Sequence, residues 1–459
     1  MNVDGVLFIS CFLPVVFLLH WLIPAEKVRN YILLAAGLVF CAFGSLGGVV
    51  LLTAVAAVNY LTGRLILAGK SPGLLCAAAV TLDLAVLIFF KYLDFLVTGF
   101  LGLPSGKLGI AAPLGISFYI FKCISYIVDT RRDREQGTEN FGHFLLYISF
   151  FPQFTAGPIS RFSQFRSQLA GRERDPERIA RGIRRFVTGL GKKLLIAGIL
   201  AKVADGVFHA ESGILDIRLA WLGAVCYMLQ IYFDFSGYSD MAIGLGNAFG
   251  FDTPENFLYP YAAVSITDFW RRWHISLSSW FKDYLYIPLG GNRKGKLRTG
   301  LNKAVVFLFC GIWHGANWTF LVWGLWHGLF SALESGKVIR PGKNLPARLY
   351  TLLVVCLGFV MFRAGSLGQG VEMIRVMFTG FRLTEAGTEL LRNLMTGETV
   401  FALILGAALA QPVLPGLKRS SLGQRILEPA SWGLCLVLFA LCLAKLASGG
   451  FMPFIYAQF

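Results

Sequence analysis

The sequence predicts an all-α polytopic integral membrane protein, and three observations support this prediction. First, the 459 residues are 56% hydrophobic and only 15% charged, whereas a soluble domain is roughly 45–50% apolar and about 25% charged. Second, a mean hydropathy of +0.63 leaves too little polar surface to cover a soluble fold. Third, apolar runs of about 20 residues recur, long enough to cross a hydrocarbon core about 30 Å thick. Because a backbone in lipid must satisfy its own hydrogen bonds, these runs are expected to be helices.

Twelve apolar stretches are candidates for membrane-embedded helices. They lie near residues 5–24, 31–43, 46–68, 73–101, 111–129, 141–157, 183–209, 219–249, 301–333, 347–363, 398–412 and 431–448. The stretch at 219–249 is long enough for two helices or for one steeply tilted helix, so we expect roughly 11–13 embedded helices in total. The polar segments between the stretches are each too short for a soluble domain. Residues 1–459 are therefore predicted to form one transmembrane domain, with C-terminal helices in 347–448.

The formal net charge of +16 is concentrated in two polar segments. Residues 161–193 contain ten Lys or Arg against three acids, and residues 271–303 contain eight against one. Short cytoplasmic loops of membrane proteins collect such residues, so both segments are predicted to face the cytoplasm, and no nucleic acid partner is expected. The same segments also offer a docking surface for an acidic carrier or a phosphate-bearing donor. The nine cysteines lie in apolar stretches without a C-x-x-C pair, so no metal site is predicted.

The segment "TDFWRRWHISLSSWFKDYLYIPLGG" is predicted to form one amphipathic helix at the membrane interface. Its aromatic side chains recur every three or four residues on one face, and its charged and hydroxyl side chains occupy the opposite face. His274 falls on the aromatic face. It is either a hydrogen-bonded structural histidine or a polar group that points from the membrane surface into the protein interior.

A second histidine lies in the apolar segment "CGIWHGANW". His314 stands between Gly311 and Gly315, a spacing that lets another helix or a ligand approach the backbone. Asn317 adds a polar group one turn on, and the tryptophans Trp313 and Trp318 make the surroundings aromatic. An ionisable side chain at membrane depth is costly and usually faces a cavity or a partner. His314 is therefore a candidate general base, and the alternative is a core histidine bonded to a backbone carbonyl.

Further polar side chains lie in the apolar segment "QIYFDFSGYSDMAIGLG". Asp234 and Tyr238 are four residues apart, so they share one face of a helix. They either hold the helix bundle together or line a polar passage through it. On spacing alone, Asp234, His314 and His327 are equally suited to relaying protons in a transporter.

Three long segments together resemble the core of the membrane-bound O-acyltransferase (MBOAT) family. They are "YFDFSGYSDMAIGLGNAFGFDTPENFLYPY", "SITDFWRRWHISLSSWFKDYLYIPLGGNRKG" and "GIWHGANWTFLVWGLWHGL". The segments "PLGISFYIFKCISYIVD", "YISFFPQFTAGPISRF" and "FMPFIYAQF" extend the resemblance almost from end to end. It implies a helical bundle with a central tunnel and interfacial amphipathic helices, with a motif-bearing core at about 111–333. His314 and His274 match the two motif histidines of the family and are the candidate catalytic residues.

The resemblance also implies the reaction, which is O-acyl transfer from a thioester donor, with no bound cofactor. Within the family the segments are most similar to the alginate-type O-acetyltransferases. The expected donor is acetyl-CoA or an acylated carrier protein on the cytoplasmic side of the cell membrane. The expected acceptor is an extracytoplasmic polysaccharide, reached directly or through a secreted or membrane-anchored relay protein. The candidate substrate-binding residues are Asn317, Asp234, Tyr238, Trp313 and Trp318.

Neutral His314 would take the proton of the acceptor hydroxyl, and His274, Asn317 or a tunnel hydroxyl would stabilise the oxyanion. Three alternatives remain open at this point. They are D-alanyl transfer to teichoic acid, a proton-coupled transporter, and a non-catalytic scaffold for secreted partners.

Overall fold

The structure, a computed structural model, describes residues 1–101, 108–172, 174–211, 213–413 and 421–449. All regular secondary structure in these ranges is helical, which confirms the all-α class. Helices α1 to α9 are Leu13–Leu22, Glu26–Ala42, Leu46–Leu67, Pro72–Lys91, Leu93–Phe100, Ile116–Arg132, Phe141–Ser149, Phe162–Arg166 and Pro176–Gly191. Helices α10 to α20 are Gly198–Phe208, Ile217–Ala248, Ile266–Arg272, Ile275–Phe281, Gly295–His314, Trp318–Ser335, Leu345–Arg363, Leu367–Thr379, Glu385–Leu394, Gly397–Leu409 and Ser421–Ala447. The C-terminal segment "FMPFIYAQF" lies outside the described residues.

Five helices within the described ranges are long and apolar enough to cross a membrane. They are α3, α4, α11, α16 and the Ala430–Ala447 part of α20, and the pair α18 and α19, bent by 70°, would add a sixth if it forms one span. These helices confirm a multi-pass membrane protein. The other apolar helices are shorter or are interrupted by turns, so the total of roughly 11–13 embedded helices stays a prediction. Helix α11 is continuous over 32 residues, so the stretch at 219–249 is one helix.

The chain divides into two compact units, and the first comprises Met1–Phe186 and Ser239–Glu255. Here α3, α4 and α6 pack against one another, and α2 packs against α7. Lys122 of α6 is buried in this unit, and its Nζ donates to the Tyr147 carbonyl at 3.0 Å and to Gln153 Oε1 at 3.2 Å. The ammonium group is thus solvated by neutral oxygens of the protein, as a buried charge requires.

The second unit comprises Val187–Tyr238 and Asn256–Phe459. It contains the hairpin of α14 and α15, the helix pair with the most extensive mutual contact among the described residues. The start of α12 is attached to this hairpin by Glu334 of α15, whose carboxylate accepts the backbone N–H groups of Ile266 at 2.7 Å and Thr267 at 2.9 Å. All seven candidate site residues belong to this unit. The prediction of a single domain over 1–459 stays a prediction.

The amphipathic segment is not one continuous helix, contrary to the sequence prediction. Helix α12 ends at Arg272, α13 begins at Ile275, and His274 between them has a φ of +45°. A non-glycine residue in this left-handed region costs free energy and persists only where its surroundings hold it. The predicted faces are nevertheless correct. Phe269, Trp273 and Leu277 are buried, whereas Arg271 and Ser279 are exposed.

Candidate active site

His314 is the last residue of α14, and its side chain is only 3% exposed. Aromatic rings surround the imidazole. Its ring centroid lies 5.0 Å from Trp313, 4.9 Å from Trp323 and 5.1 Å from Phe362, and the last two rings stand almost perpendicular to it. Aromatic packing on several sides therefore restricts the position of the ring. This environment excludes water and strengthens any electrostatic interaction that forms inside it.

Two glycines allow α15 to pack against the end of α14. A Cβ atom on Gly311 would overlap the Phe320 carbonyl oxygen, and one on Gly324 would overlap the Phe307 carbonyl oxygen. The close approach that the Gly311 and Gly315 spacing predicts is therefore confirmed, and its partner is α15. The helix does not continue through this segment, contrary to the expectation that Asn317 lies one turn further along it. Asn317 is instead the N-cap of α15, with its Oδ1 accepting the backbone N–H of Thr319 at 3.1 Å.

His274 occupies the left-handed turn between α12 and α13 and is 1% exposed. Its Nδ1 lies 3.2 Å from Oδ1 of Asn256, which also accepts the backbone N–H of Ser276 at 3.2 Å and the Ser276 hydroxyl at 2.9 Å. The edge of the Phe235 ring packs on the imidazole with 4.6 Å between centroids. Hydrogen bonds as well as packing therefore hold this second histidine.

Tryptophan rings connect the histidines of this unit. Trp313 contacts both candidate catalytic rings, with centroid distances of 6.3 Å to His274 and 5.0 Å to His314. Trp323 in turn lies between His314 and His327, at 4.9 Å and 5.1 Å. The structure thus brings His274 and His314 into contact with one indole, although 40 residues separate them in the sequence.

His327 has a structural environment. The indole N–H of Trp270 donates to its Nδ1 at 3.4 Å, and Gly358 of α16 packs so closely that a Cβ atom there would lie 2.8 Å from its Nε2. His327 therefore serves as the packing contact between α12, α15 and α16.

Asp234 and Tyr238 are both buried on α11, one helical turn apart. The carboxylate of Asp234 forms an ion pair with Lys193, whose Nζ lies 2.5 Å from Oδ1. Lys193 belongs to the basic segment that the sequence analysis assigns to the cytoplasmic side, yet its side chain is buried in the π-helical segment Lys192–Ala197. The ion pair thus holds Asp234 of α11 against the Lys192–Ala197 segment. The next residue of α11, Phe235, contacts His274.

The remaining candidates differ in burial. Trp313 is buried between the two histidine rings, whereas Trp318, at the first position of α15, is 60% exposed. Asn317 uses its side chain twice, as the cap of α15 and as a donor to the Gly365 carbonyl at 3.3 Å. The sequence analysis did not identify Asn256, Lys193 or Phe362. Asn256 lies in the resembling segment "DTPENFLYPY", which is the one signal that could have indicated it.

Taken together, the fold and the site define a multi-pass helical membrane protein with a pair of buried histidines packed against one tryptophan. The model of the membrane-bound O-acyltransferase family (MBOAT) matches residues 110–341. The probable alginate O-acetylase AlgI of Pseudomonas putida is 38% identical over 98% of this chain and 99% of its own length. The peptidoglycan O-acetyltransferase of Helicobacter pylori is 36% identical over 81% of this chain and 78% of its own. The teichoic acid D-alanyltransferase of Streptococcus thermophilus is 32% identical, but over 47% of this chain and 55% of its own.

The chain belongs to the membrane-bound O-acyltransferase family, which confirms the resemblance seen in its motifs. It is an O-acyltransferase and uses an acyl donor as co-substrate. The family assignment favours an enzyme over the proton-coupled transporter and the scaffold that the residue spacing alone left open. The central tunnel and the roles of the individual site residues stay predictions.

Proposed function

We propose that this enzyme transfers an acetyl group from a cytoplasmic thioester donor, across the membrane, to hydroxyls of an extracytoplasmic polysaccharide. The similarity to an alginate O-acetylase over nearly the full length of both chains supports acetyl as the acyl group. The match to a D-alanyltransferase covers about half of each chain, which makes D-alanyl transfer the second candidate. The location is the cell membrane, the donor is acetyl-CoA or an acylated carrier protein, and a secreted or membrane-anchored relay protein completes the transfer.

The observation on which this proposal rests is the dry aromatic environment of His314. Neutral His314 accepts the proton of the acceptor hydroxyl, and the hydroxyl oxygen attacks the thioester carbonyl carbon. The C–S bond then breaks, and the thiolate leaves with the proton that His314 returns. A positioned base of this kind contributes about 10²–10⁴-fold to the rate. Positioning and electrostatics in the water-excluded site supply the remainder.

The proposed binding residues follow the same geometry. Trp313 contacts both imidazoles and forms one wall of the site. Asp234 and Tyr238 form a second, polar wall on α11, and the ion pair with Lys193 fixes its position. Trp318 and Asn317 begin α15 next to His314, and the exposed indole of Trp318 is the part of the set that a substrate meets first.

The test compares His314→Gln with His327→Gln, since both replace a buried imidazole in the same unit. Membrane levels of each variant are measured by immunoblot, and O-acetyl ester on the exopolysaccharide of the producing cells is measured by NMR. We expect at least about a 10²-fold loss for His314→Gln and less than about a fivefold loss for His327→Gln. Wild-type acetylation in His314→Gln cells with normal protein levels would contradict the general-base role. Detection of D-alanine ester and no acetyl ester would show that the transferred acyl group is D-alanyl.

A further inference from the structure

We propose a division of labour in this site, which rests on the proposed acetyl transfer. His274 supplies a hydrogen-bond acceptor that faces the hydroxyl substrate, with Asn256 as its positioning residue, and the indole N–H of Trp323 supplies the donor for the oxyanion. The two halves of the proposal rest on different contacts and have separate tests.

The first half follows from the hydrogen bonds of Asn256, which is fully buried. The backbone N–H of Ser276 points at the Asn256 side chain at 3.2 Å, and a backbone N–H can only donate. The atom it meets is therefore the amide oxygen and not the amide nitrogen. Nδ1 of His274 lies 3.2 Å from that same oxygen, which has no proton to give. Nδ1 must then carry the imidazole proton, and in neutral His274 the Nε2 atom carries a lone pair.

Asn256 also fixes where that lone pair lies. Its backbone carbonyl accepts the N–H of Ile275 at 3.0 Å, so the residue holds the backbone that follows the left-handed turn as well as the imidazole of His274. The Phe235 ring, which is perpendicular to the imidazole, restrains it from another direction. Rotating the ring would break the bond to Asn256 and disrupt this packing. Partners of this kind fix both tautomer and orientation, as second-sphere groups do for metal-binding histidines.

An Nε2 atom without a proton cannot donate a hydrogen bond to the thioester oxygen. A group that pairs with Nε2 in the complex must therefore carry a proton. We assign it to a hydroxyl of the acceptor other than the attacking one, whose proton His314 takes. His274 is therefore assigned to the hydroxyl substrate, contrary to the sequence-based expectation that it helps to stabilise the oxyanion. His327 provides the contrast within the structure. Trp270 donates to its Nδ1, so its proton is on Nε2.

The second half concerns Trp323, whose ring is 1% exposed and lies 4.9 Å from His314. Its Nε1 is buried and has no hydrogen-bond acceptor within the described ranges of the chain. An unsatisfied buried N–H destabilises the fold, so a native structure keeps one for a reason. An acceptor oxygen that appears beside His314 only when substrate is bound would satisfy it. The developing oxyanion of the thioester carbonyl is such an oxygen.

Trp326, three residues along the same helix, provides a matched control. Its Nε1 donates to the Val354 carbonyl at 2.9 Å, so its hydrogen bond is already made within the fold. Trp323→Phe and Trp326→Phe each remove one indole N–H and keep an aromatic ring. For acetyl transfer from labelled acetyl donor in membranes, we expect kcat to fall about 10²–10³-fold in Trp323→Phe. In Trp326→Phe it should stay within about fivefold of wild type. Equal kcat values in the two variants would overturn the donor assignment.

The tautomer is read directly from the ¹⁵N shifts of the imidazoles in the full-length protein, with His274→Gln used to assign the signal. We expect a protonated Nδ1 and an unprotonated Nε2 in wild type. In Asn256→Leu we expect a mixture of the two tautomers and a kcat at least about tenfold lower, whereas Asn256→Asp keeps an acceptor oxygen and should retain the single tautomer. A protonated Nε2 in wild type would overturn the role assigned to His274 and Asn256. The shifts do not depend on turnover, so the absence of acyl transfer by wild type would refute the proposed function separately.

Discussion

The two turns that carry the candidate catalytic histidines are built in different ways. In the first, α14 ends at His314 and the imidazole is enclosed by the rings of Trp313, Trp323 and Phe362. In the second, His274 interrupts the amphipathic segment and is bonded to Asn256. Aromatic packing restricts where a ring lies, whereas the hydrogen bond to Asn256 also determines which nitrogen of His274 carries the proton. The second arrangement therefore suits a group with one constant role in the proposed reaction.

The largest expected effect of a substitution is on the support of the His274 turn. Lys193→Met leaves the Asp234 carboxylate buried without its ion-pair partner, which typically destabilises a protein by about 3–5 kcal/mol. Because Phe235 follows Asp234, the packing on His274 is expected to loosen as well. Unfolding of purified protein in mixed micelles measures the loss.

The double variant Lys193→Met, Asp234→Leu is the control for that prediction. It removes both charges and should recover most of the stability, since well-packed apolar residues can replace a buried pair at little cost. If Lys193→Met is as stable as wild type, the ion pair does not stabilise the packing around His274.

A smaller effect is expected from disrupting the packing of the His314 turn. In Gly311→Ala the new methyl group would overlap the Phe320 carbonyl, so α15 must move away from α14. Overpacking of this kind costs about 1–3 kcal/mol. Gly433→Ala is the matched control, because a Cβ atom there would meet nothing within 4 Å. The unfolding midpoints of the two variants are measured side by side, and only that of Gly311→Ala should fall. Equal midpoints would mean that the close packing of α15 against α14 does not stabilise the His314 turn.

The smallest effect separates two roles of Asn317 beside His314. Asn317→Ala removes the N-cap of α15 and should cost about 1 kcal/mol of stability. Asn317→Ser keeps a capping oxygen and should restore it. If Asn317 also binds substrate, KM will rise in both variants, since a serine cannot replace the amide N–H groups. Measuring stability and KM on the same preparations therefore tests the predicted binding role, and a wild-type KM in Asn317→Ser would reject it.

Much of the fold could be predicted because long apolar runs are local features of the sequence. The predicted stretches at 46–68 and 347–363 correspond to α3 and α16 within two residues at each end. The aromatic face through Phe269 and Trp273 was also predictable, since helical periodicity survives the interruption at His274. The Gly311 and Gly315 spacing correctly indicated a close approach of another helix.

The parts of the site that could not be predicted depend on contacts between distant residues. Asn256 is 18 residues from His274, and Lys193 is 41 residues from Asp234. No periodicity within either segment specifies these pairs. The left-handed conformation of His274 was equally hidden, because few non-glycine residues adopt it and the hydrogen bonds that hold it here come from the distant Asn256. Lys193 was assigned to a polar segment because composition does not reveal which lysine of a basic run turns inward.

The termination of α14 at His314 has an electrostatic consequence. The carbonyl groups of the last helical turn are directed toward this end, and together they carry about half an elementary negative charge. Such a field favours a cation at the C-terminus of a helix, including a protonated imidazole. The backbone of α14 would thus share the positive charge that His314 acquires in the proposed proton transfer.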